Sequence, residues 1–236
     1  ALSSAASDVY KRQVWQALSS STLNNHTAKY YYQDEDGRGG VTATSPNYPI
    51  TGYVIKKYNN PMDAWTGTGA RHIQKAYPII RYAEILLSYA EALNNLTGPH
   101  TVELDGQPYT MSRDKEEIKK AFNQVRYRAG LPGLTANQLN STPEVQKQIE
   151  RERMVEFLWE NRRFYDVRRW GIYEETEQEP IRGMNPDGAT KETYYQRVIP
   201  SSSSFLTRVV DKRSVWVPIP RNEMRRLPSL DQNPGY

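Results

Sequence analysis

The chain has 236 residues, of which 37% are hydrophobic and 11% aromatic, with 17 tyrosines and no cysteine. That is enough apolar material for a substantial core and too aromatic for a disordered segment, while the missing thiol excludes disulfides, thiolate metal sites and cysteine nucleophiles within this stretch. Against 31 basic residues stand 27 acidic ones, net +4, and the densest basic run (Arg151, Arg153, Arg162, Arg163, Arg168, Arg169) is interleaved with Glu152, Glu156, Glu160 and Asp166, which cancels the field that nucleic-acid binding by counterion release requires.

Residues 1–13 are set apart first. Ser3-Ser4-Ala5-Ala6-Ser7-Asp8-Val9-Tyr10-Lys11-Arg12-Gln13 resembles a conceptual translation of a transposase-based sequencing adapter, so it is excluded as a fusion scar would be and the native chain is taken to start near Val14. The alternative is a genuine Ser/Ala-rich linker.

From there, Val14 to Tyr32 reads as a short helix followed by an aromatic stretch ending Tyr30-Tyr31-Tyr32. Gln33 to Gly40 is an Asp/Gly loop. Gly52 to Tyr58 has the β-branched and aromatic bias of a short strand. Asn59 to Gly69 is again loop, with Trp65 among Thr and Gly. A strong helix follows from Ile80, with Tyr82, Ile85, Leu86, Tyr89, Leu93 and Leu96 at spacings of three and four as its apolar stripe. Pro78 precedes it, and Asn94-Asn95 and Gly98-Pro99 end it. Residues 99–112 form a loop or small turn containing Asp105-Gly106. A second helix runs from about Arg113 to Ala129, with Ile118, Phe122 and Val125 inward, and stops at Gly130-Leu131-Pro132-Gly133. A third starts near Thr142, with Thr142 as cap and Pro143 in the first helical position, and continues to about Arg169. Ile149, Phe157, Phe164, Val167 and Trp170 mark its buried stripe, and Gly171 breaks it. Ile172 to Ser214 is an irregular lobe anchored by Tyr173, Tyr194, Tyr195, Phe205 and Leu206. The tail has Val215-Trp216-Val217 as a short strand, a helical turn from Arg221 to Arg226, and an extended end.

Few patterns carry chemistry. His26, His72 and His100 have no ligand spacing, so no metal site is expected. Asp34-Glu35-Asp36-Gly37 opens like a calcium loop but lacks the later ligands, and is expected to be a solvated acidic turn. Gly67-Thr68-Gly69 lacks the strand, third glycine and lysine of a phosphate cradle, and no cofactor is expected. A glycosidase needs two carboxyl groups roughly 5–9.5 Å apart in a cleft. Glu84 with Glu91, and the ladder Glu152, Glu156, Glu160, are the candidates, but three like charges in one row repel unless arginines neutralise them, and Arg81, Arg153, Arg162 and Arg163 are at hand. Structural ion pairing is the expectation. The loop aromatics Tyr30, Tyr31, Tyr32, Trp65, Tyr194 and Tyr195 are the candidate ligand contacts, because sugar rings stack apolar C–H faces on Trp or Tyr while their edges take hydrogen bonds from neighbouring polar groups. The alternative role for each is a packing anchor of a long loop.

Three segments carry a resemblance. They are Tyr77-Pro78-Ile79-Ile80-Arg81-Tyr82-Ala83-Glu84-Ile85-Leu86-Leu87-Ser88-Tyr89-Ala90-Glu91-Ala92-Leu93-Asn94; the run from Asn123-Gln124-Val125-Arg126-Tyr127-Arg128-Ala129-Gly130-Leu131-Pro132 through Glu156-Phe157 to Asn161-Arg162-Arg163-Phe164-Tyr165-Asp166-Val167-Arg168-Arg169-Trp170-Gly171; and the tail from Pro218-Ile219-Pro220 to Gln232-Asn233-Pro234-Gly235-Tyr236. In order and spacing they are similar to the SusD/RagB family of nutrient-binding lipoproteins, with residues 14–236 resembling its C-terminal domain. The family has Gly where Asn161 stands here. The resemblance implies a mostly α fold: a tetratricopeptide-like helical scaffold with loop-rich lobes and a few short strands. It implies a lipid anchor that is missing from this fragment, and a place on the extracellular face of a Bacteroidota-type outer membrane. It also implies a SusC-like TonB-dependent transporter as partner, and non-catalytic capture of oligosaccharides or, alternatively, peptides. A hydrolase using Glu84 or Glu156 is the alternative from another class. Because the family's sugar contacts vary and lie on loops, no binding residue follows from a motif.

Overall fold

The computed structural model describes residues 14–19, 22–27, 29–34, 36–40, 48–53, 55, 57–58, 60, 63, 71–200 and 208–236. The chain divides into two compact units: one takes in the N-terminal hairpin and Val54–Arg163, the other Lys29–Tyr53 and Phe164–Tyr236. Helices dominate, and the described strands form three two-stranded antiparallel pairs.

In the first unit, β1 (Val14–Ser19) pairs with β2 (Thr22–Thr27), Val14 opposite Thr27 and Ser19 opposite Thr22. This replaces the short helix expected there. Val14-Trp15 favours extended backbone, Ser and Thr crowd the junction, and Thr22 to Thr27 is built from weak helix formers. The strand expected over Gly52 to Tyr58 is also absent among the described residues. Gly52 and Tyr58 both take positive φ, 69° and 63°, and a left-handed residue cannot continue a ladder.

Helix α1 (Tyr82–Asn94) stands where periodicity puts it, but only part of the expected stripe is covered: Leu93 is buried and Leu86 and Leu96 pack against the core. Ala83, Leu87, Ala90, Glu91, Leu93 and Asn94 point inward, while Tyr82, Ile85 and Tyr89 are exposed. The apolar arc is wider than one stripe, and the small residues Ala83 and Ala90 let a neighbouring helix approach on their side. Between α1 and α2, β3 (His100–Leu104) and β4 (Gln107–Met111) form a hairpin in the segment read as loop. Its turn is Asp105-Gly106, both at positive φ, 51° and 71°, as a two-residue hairpin turn demands.

Helix α2 (Lys115–Arg128) is capped by Asp114, whose carboxylate accepts from the amides of Glu116 and Glu117 at 2.8 and 3.1 Å. Ile118, Phe122 and Val125 are buried as expected. Gly130, at φ 68°, ends the run: its amide reaches the Tyr127 carbonyl and the Leu131 amide the Arg126 carbonyl, a double closure that favours glycine. The short α3 (Ala136–Leu139) was not anticipated, although Thr135 and Gln138 form a reciprocal capping box around it. Helix α4 (Thr142–Glu156) is capped by Ser141 rather than Thr142, with Pro143 in its first turn.

The single helix expected to run to Arg169 is two. It breaks after Glu156 and resumes as α5 (Arg162–Arg169). In the break, Trp159 and Asn161 take φ of 64° and 60°. Asn161 occupies the position where the family has glycine, and asparagine is among the few side chains that tolerate this conformation. The buried stripe therefore stops at Phe157: Phe164 is exposed, Trp170 half-buried, and Val167 buried again. Residues of α1, α2, Leu134, α3 and α4 share one core with Phe157, centred on Leu87, Ile118, Phe122, Val145 and Ile149.

In the second unit, the lobe contains α6 (Tyr173–Glu177), β5 (Gly183–Met184), α7 (Lys191–Tyr194) and β6 (Arg197–Val198). Phe205 and Leu206 lie outside the described residues. Val215 closes a 3-10 turn, Lys212–Val215, instead of opening a strand, and α8 (Arg221–Arg226) matches the expected helical turn. The tail folds back on Pro218-Ile219-Pro220. The Gln232 side chain accepts from the Ile219 amide and donates to the Ile219 carbonyl at 2.8 and 3.0 Å, and Asn233 donates to the Val217 carbonyl at 2.7 Å.

The two faces of α1 are separable by mutation. Leu87→Ala is expected to cost about 2–5 kcal/mol in chemical denaturation, and Ile85→Ala under about 1 kcal/mol. Equal losses would mean that the buried face is misassigned.

Candidate functional site

In the second unit the acidic turn is built by its own backbone. Asp34 accepts from the Tyr31 amide at 3.2 Å and Asp36 from the Lys29 amide at 2.8 Å, so their carboxylates fold the loop over residues 29–40. A Cβ on Gly37 or Gly40 would fall 1.8 or 1.7 Å from the Tyr31 or Asp34 carbonyl oxygen, so the winding needs glycine at both. The loop is then tied to residues 185–188. The Tyr32 amide donates to the Gly188 carbonyl at 2.9 Å, and Arg38 Nη1 donates to both carboxylate oxygens of Asp187 at 2.7 and 2.9 Å.

This closure gathers tyrosines. Tyr194, at the end of α7, is 4% exposed, and its hydroxyl donates to the Gly52 carbonyl at 2.8 Å. The rings of Tyr31 and Tyr195 each lie 5.4 Å from it, tilted and edge-on. Burial, then the neighbouring hydroxyls of Tyr195, Tyr30, Tyr31 and Tyr53, push the Tyr194 phenol above its ordinary value. Of the six aromatic candidates, five thus fall in one unit, with Tyr194 as its packed centre and Tyr195 and Tyr32, 41% and 37% exposed, turned to solvent. Trp65 lies outside the described residues. Tyr53, Tyr48 beneath the Arg38 guanidinium, and the Arg38–Asp187 pair are additions that no local pattern announced, because Arg38 and Asp187 are 149 positions apart. The result is a set of aromatic rings edged by a guanidinium and carboxylates.

The carboxylates behave differently. In the first unit, Arg81 grips Glu160 with two bonds of 2.8 and 2.7 Å and Glu156 with one of 2.8 Å. Lys57 pairs with Glu160 and donates to the carbonyls of Glu156 and Leu158. Arg128 holds Glu156 at 2.5 Å, Arg126 holds Glu152 at 2.8 Å, and Arg162 holds Glu84 at 2.9 Å. Glu91, Glu152, Glu156 and Glu160 are all buried. Burial works against the Glu160 charge, but the hydrogen bonds of Arg81 and Lys57 prevail and lower its pKa; at Glu152 burial prevails over Arg126 and raises it. Burial likewise opposes the Arg81 charge, and the bonds of Glu160 and Glu156 more than restore it. Glu84, Glu152, Glu156 and Glu160 are thus each paired with an arginine. Among the described residues no cluster could hold a metal ion, and no helix is long and apolar enough to cross a membrane.

A helical scaffold locked by buried ion pairs, with a separate loop-built lobe presenting aromatic rings, defines a class of mostly α protein with loop-rich lobes. The sequence model of the SusD family matches residues 5–236, and the chain belongs to that family. It is 26% identical over 231 residues to SusD-like protein P2 of Formosa agariphila, covering 87% of this chain and 39% of that protein. The crystal structure of a SusD-like protein of Bacteroides fragilis is similar with a TM-score of 0.62 and 30% identity, over 90% of this chain and 35% of that one. The chain thus spans between a third and two fifths of the length of these relatives.

Two substitutions test these assignments. Glu160→Gln leaves Arg81 and Lys57 short of a buried partner and is expected to cost about 3–5 kcal/mol at neutral pH. Because the folded pKa of Glu160 is lowered, its contribution is present above the ordinary 4.5 and lost as pH falls through the lowered value, so acid unfolding should be shallower in the variant. Tyr194→Phe orphans the Gly52 carbonyl and is expected to cost about 1–3 kcal/mol. The raised phenol pKa adds stability that is full below the ordinary 10.0 and lost as pH climbs above it, so the variant should lose less at high pH.

Proposed function

We propose that this chain is part of a non-catalytic cell-surface protein that binds oligosaccharides for import through a SusC-like TonB-dependent transporter. By family resemblance it works on the extracellular face of the outer membrane, held by a lipid anchor. The observation that carries the glycan assignment is the tyrosine cluster: Tyr195 and Tyr32 turn to solvent from loops fixed by Gly37, Gly40 and the Arg38–Asp187 pair. Preformed rings lose little entropy on stacking a sugar, and the rim supplies partners for hydroxyls. Modest affinity suffices, since a transporter held beside the binder raises the effective ligand concentration. The ion-paired ladder supports the absence of hydrolysis, because Glu84 and Glu156 are each engaged by arginine.

Affinity electrophoresis against a panel of soluble polysaccharides is expected to show retardation that Tyr195→Ala with Tyr32→Ala weakens by about tenfold, with the circular dichroism spectrum unchanged. Trp65→Ala tests the remaining aromatic candidate separately. Retention by peptide ligands alone would favour capture of peptides, and product release abolished by Glu156→Gln would overturn the non-catalytic assignment.

A further inference from the structure

The C-terminal tail encloses a second feature that shares no residue with the tyrosine cluster. A cavity of about 450 Å³ is lined by Asp211, Lys212, Arg213, Trp216, Pro234 and Gly235. Its size falls within the roughly 300–1,000 Å³ of small-molecule sites. Trp216 lines it and is 57% exposed, although its backbone is fixed: its carbonyl accepts from the Tyr236 hydroxyl at 3.1 Å. Asp211 and Arg213, which also line it, are equally held. Asp211 accepts from the Arg213 amide at 3.2 Å and pairs with its Nε at 2.9 Å, and the Arg213 guanidinium lies 5.3 Å from the centre of the Tyr236 ring. Gly235 takes φ 93°, and a Cβ there would meet the Arg213 Cβ at 2.6 Å, so the wall closes this far only around a glycine.

The charges decide what fits. Asp211 and Arg213 neutralise each other. Lys212, beside them and exposed, has no ion pair or hydrogen bond among the described residues, so the cavity keeps one uncompensated positive charge next to an open indole. A purely apolar ligand would leave that ammonium unmatched, and a small inorganic anion would leave the indole uncovered. A pyranose ring with a carboxylate or sulfate satisfies both, its C–H face on Trp216 and its anionic group towards Lys212.

We infer that this cavity is a second carbohydrate subsite, selective for sugar units that carry a negative charge. It goes beyond the glycan reading of the tyrosine cluster and is independent of it. The test is calorimetric titration of the 236-residue chain with trigalacturonate, its methyl ester and a sulfated galactose oligosaccharide. The ester keeps the rings and removes the charge. The two anionic probes separate carboxylate from sulfate. Both charges, or one of them, should bind about three- to fivefold more tightly than the ester, and Lys212→Gln should erase that difference. Trp216→Ala should weaken every probe by about tenfold, and Trp216→Phe should restore most of the loss. A Tyr32→Ala, Tyr195→Ala background removes the contribution of the other site, and the difference between acid and ester should persist in it. Equal affinity for acid and ester, indifference to Trp216→Ala, or no binding of any probe at millimolar concentration would overturn the inference. Lys212 is exposed, so its variant keeps the charge test available should a Trp216 variant misfold.

Discussion

Arg81 stands immediately before α1 and bonds the last residue of α4 and the glutamate of the turn beyond it. Several groups converge on this point. Glu156 and Glu160 are buried carboxylates that are stable only when paired, Lys57 reaches inward to the same point, and the Phe157 ring lies under the Arg81 and Arg153 guanidiniums at 5.1 and 5.2 Å. Glu160 is held inward in the break after α4, and the left-handed backbone at Trp159 and Asn161 is the local strain that this break carries.

The second unit achieves rigidity by other means. It has few long elements, so order comes from carboxylates that cap turns, glycines that let carbonyls approach, and one tyrosine whose hydroxyl finds a buried acceptor. Scaffold and presentation are thus separate tasks with separate chemistry. Charged pairs fix the helices of one unit, and aromatic packing fixes the loops of the other.

What the sequence disclosed follows the range of each interaction. Helix α2, its inward residues and its glycine stop were legible because cap, stripe and terminator are local. So was α8. Helix α1 stands in place with half of its expected stripe, Leu86, Leu93 and Leu96, on the core and Tyr82, Ile85 and Tyr89 in solvent, because periodicity finds an apolar arc and cannot tell which part a neighbour covers. The break between α4 and α5 was hidden, since Glu160 reads as another member of an i, i+4 ladder until Arg81, 79 positions away, claims it. The β1–β2 hairpin has no Gly-containing turn to announce it, while Asp105-Gly106 serves a loop as well as the hairpin it makes here. Of the aromatic cluster, the tyrosine runs were visible, but Tyr53 and the Arg38–Asp187 tie depend on chain closure that no local pattern encodes.

The β3–β4 hairpin stands with both strands' outer residues in solvent, between two helices whose packing is settled elsewhere, by Leu87, Ile118 and Phe122. Its length is therefore decoupled from the spacing of α1 and α2. Residues added at Asp105-Gly106 lengthen a loop at an entropic cost that grows only with the logarithm of its size. That makes the tip a permissive port, where an epitope, a fluorophore or a whole inserted domain can be carried while the helices on either side keep their register.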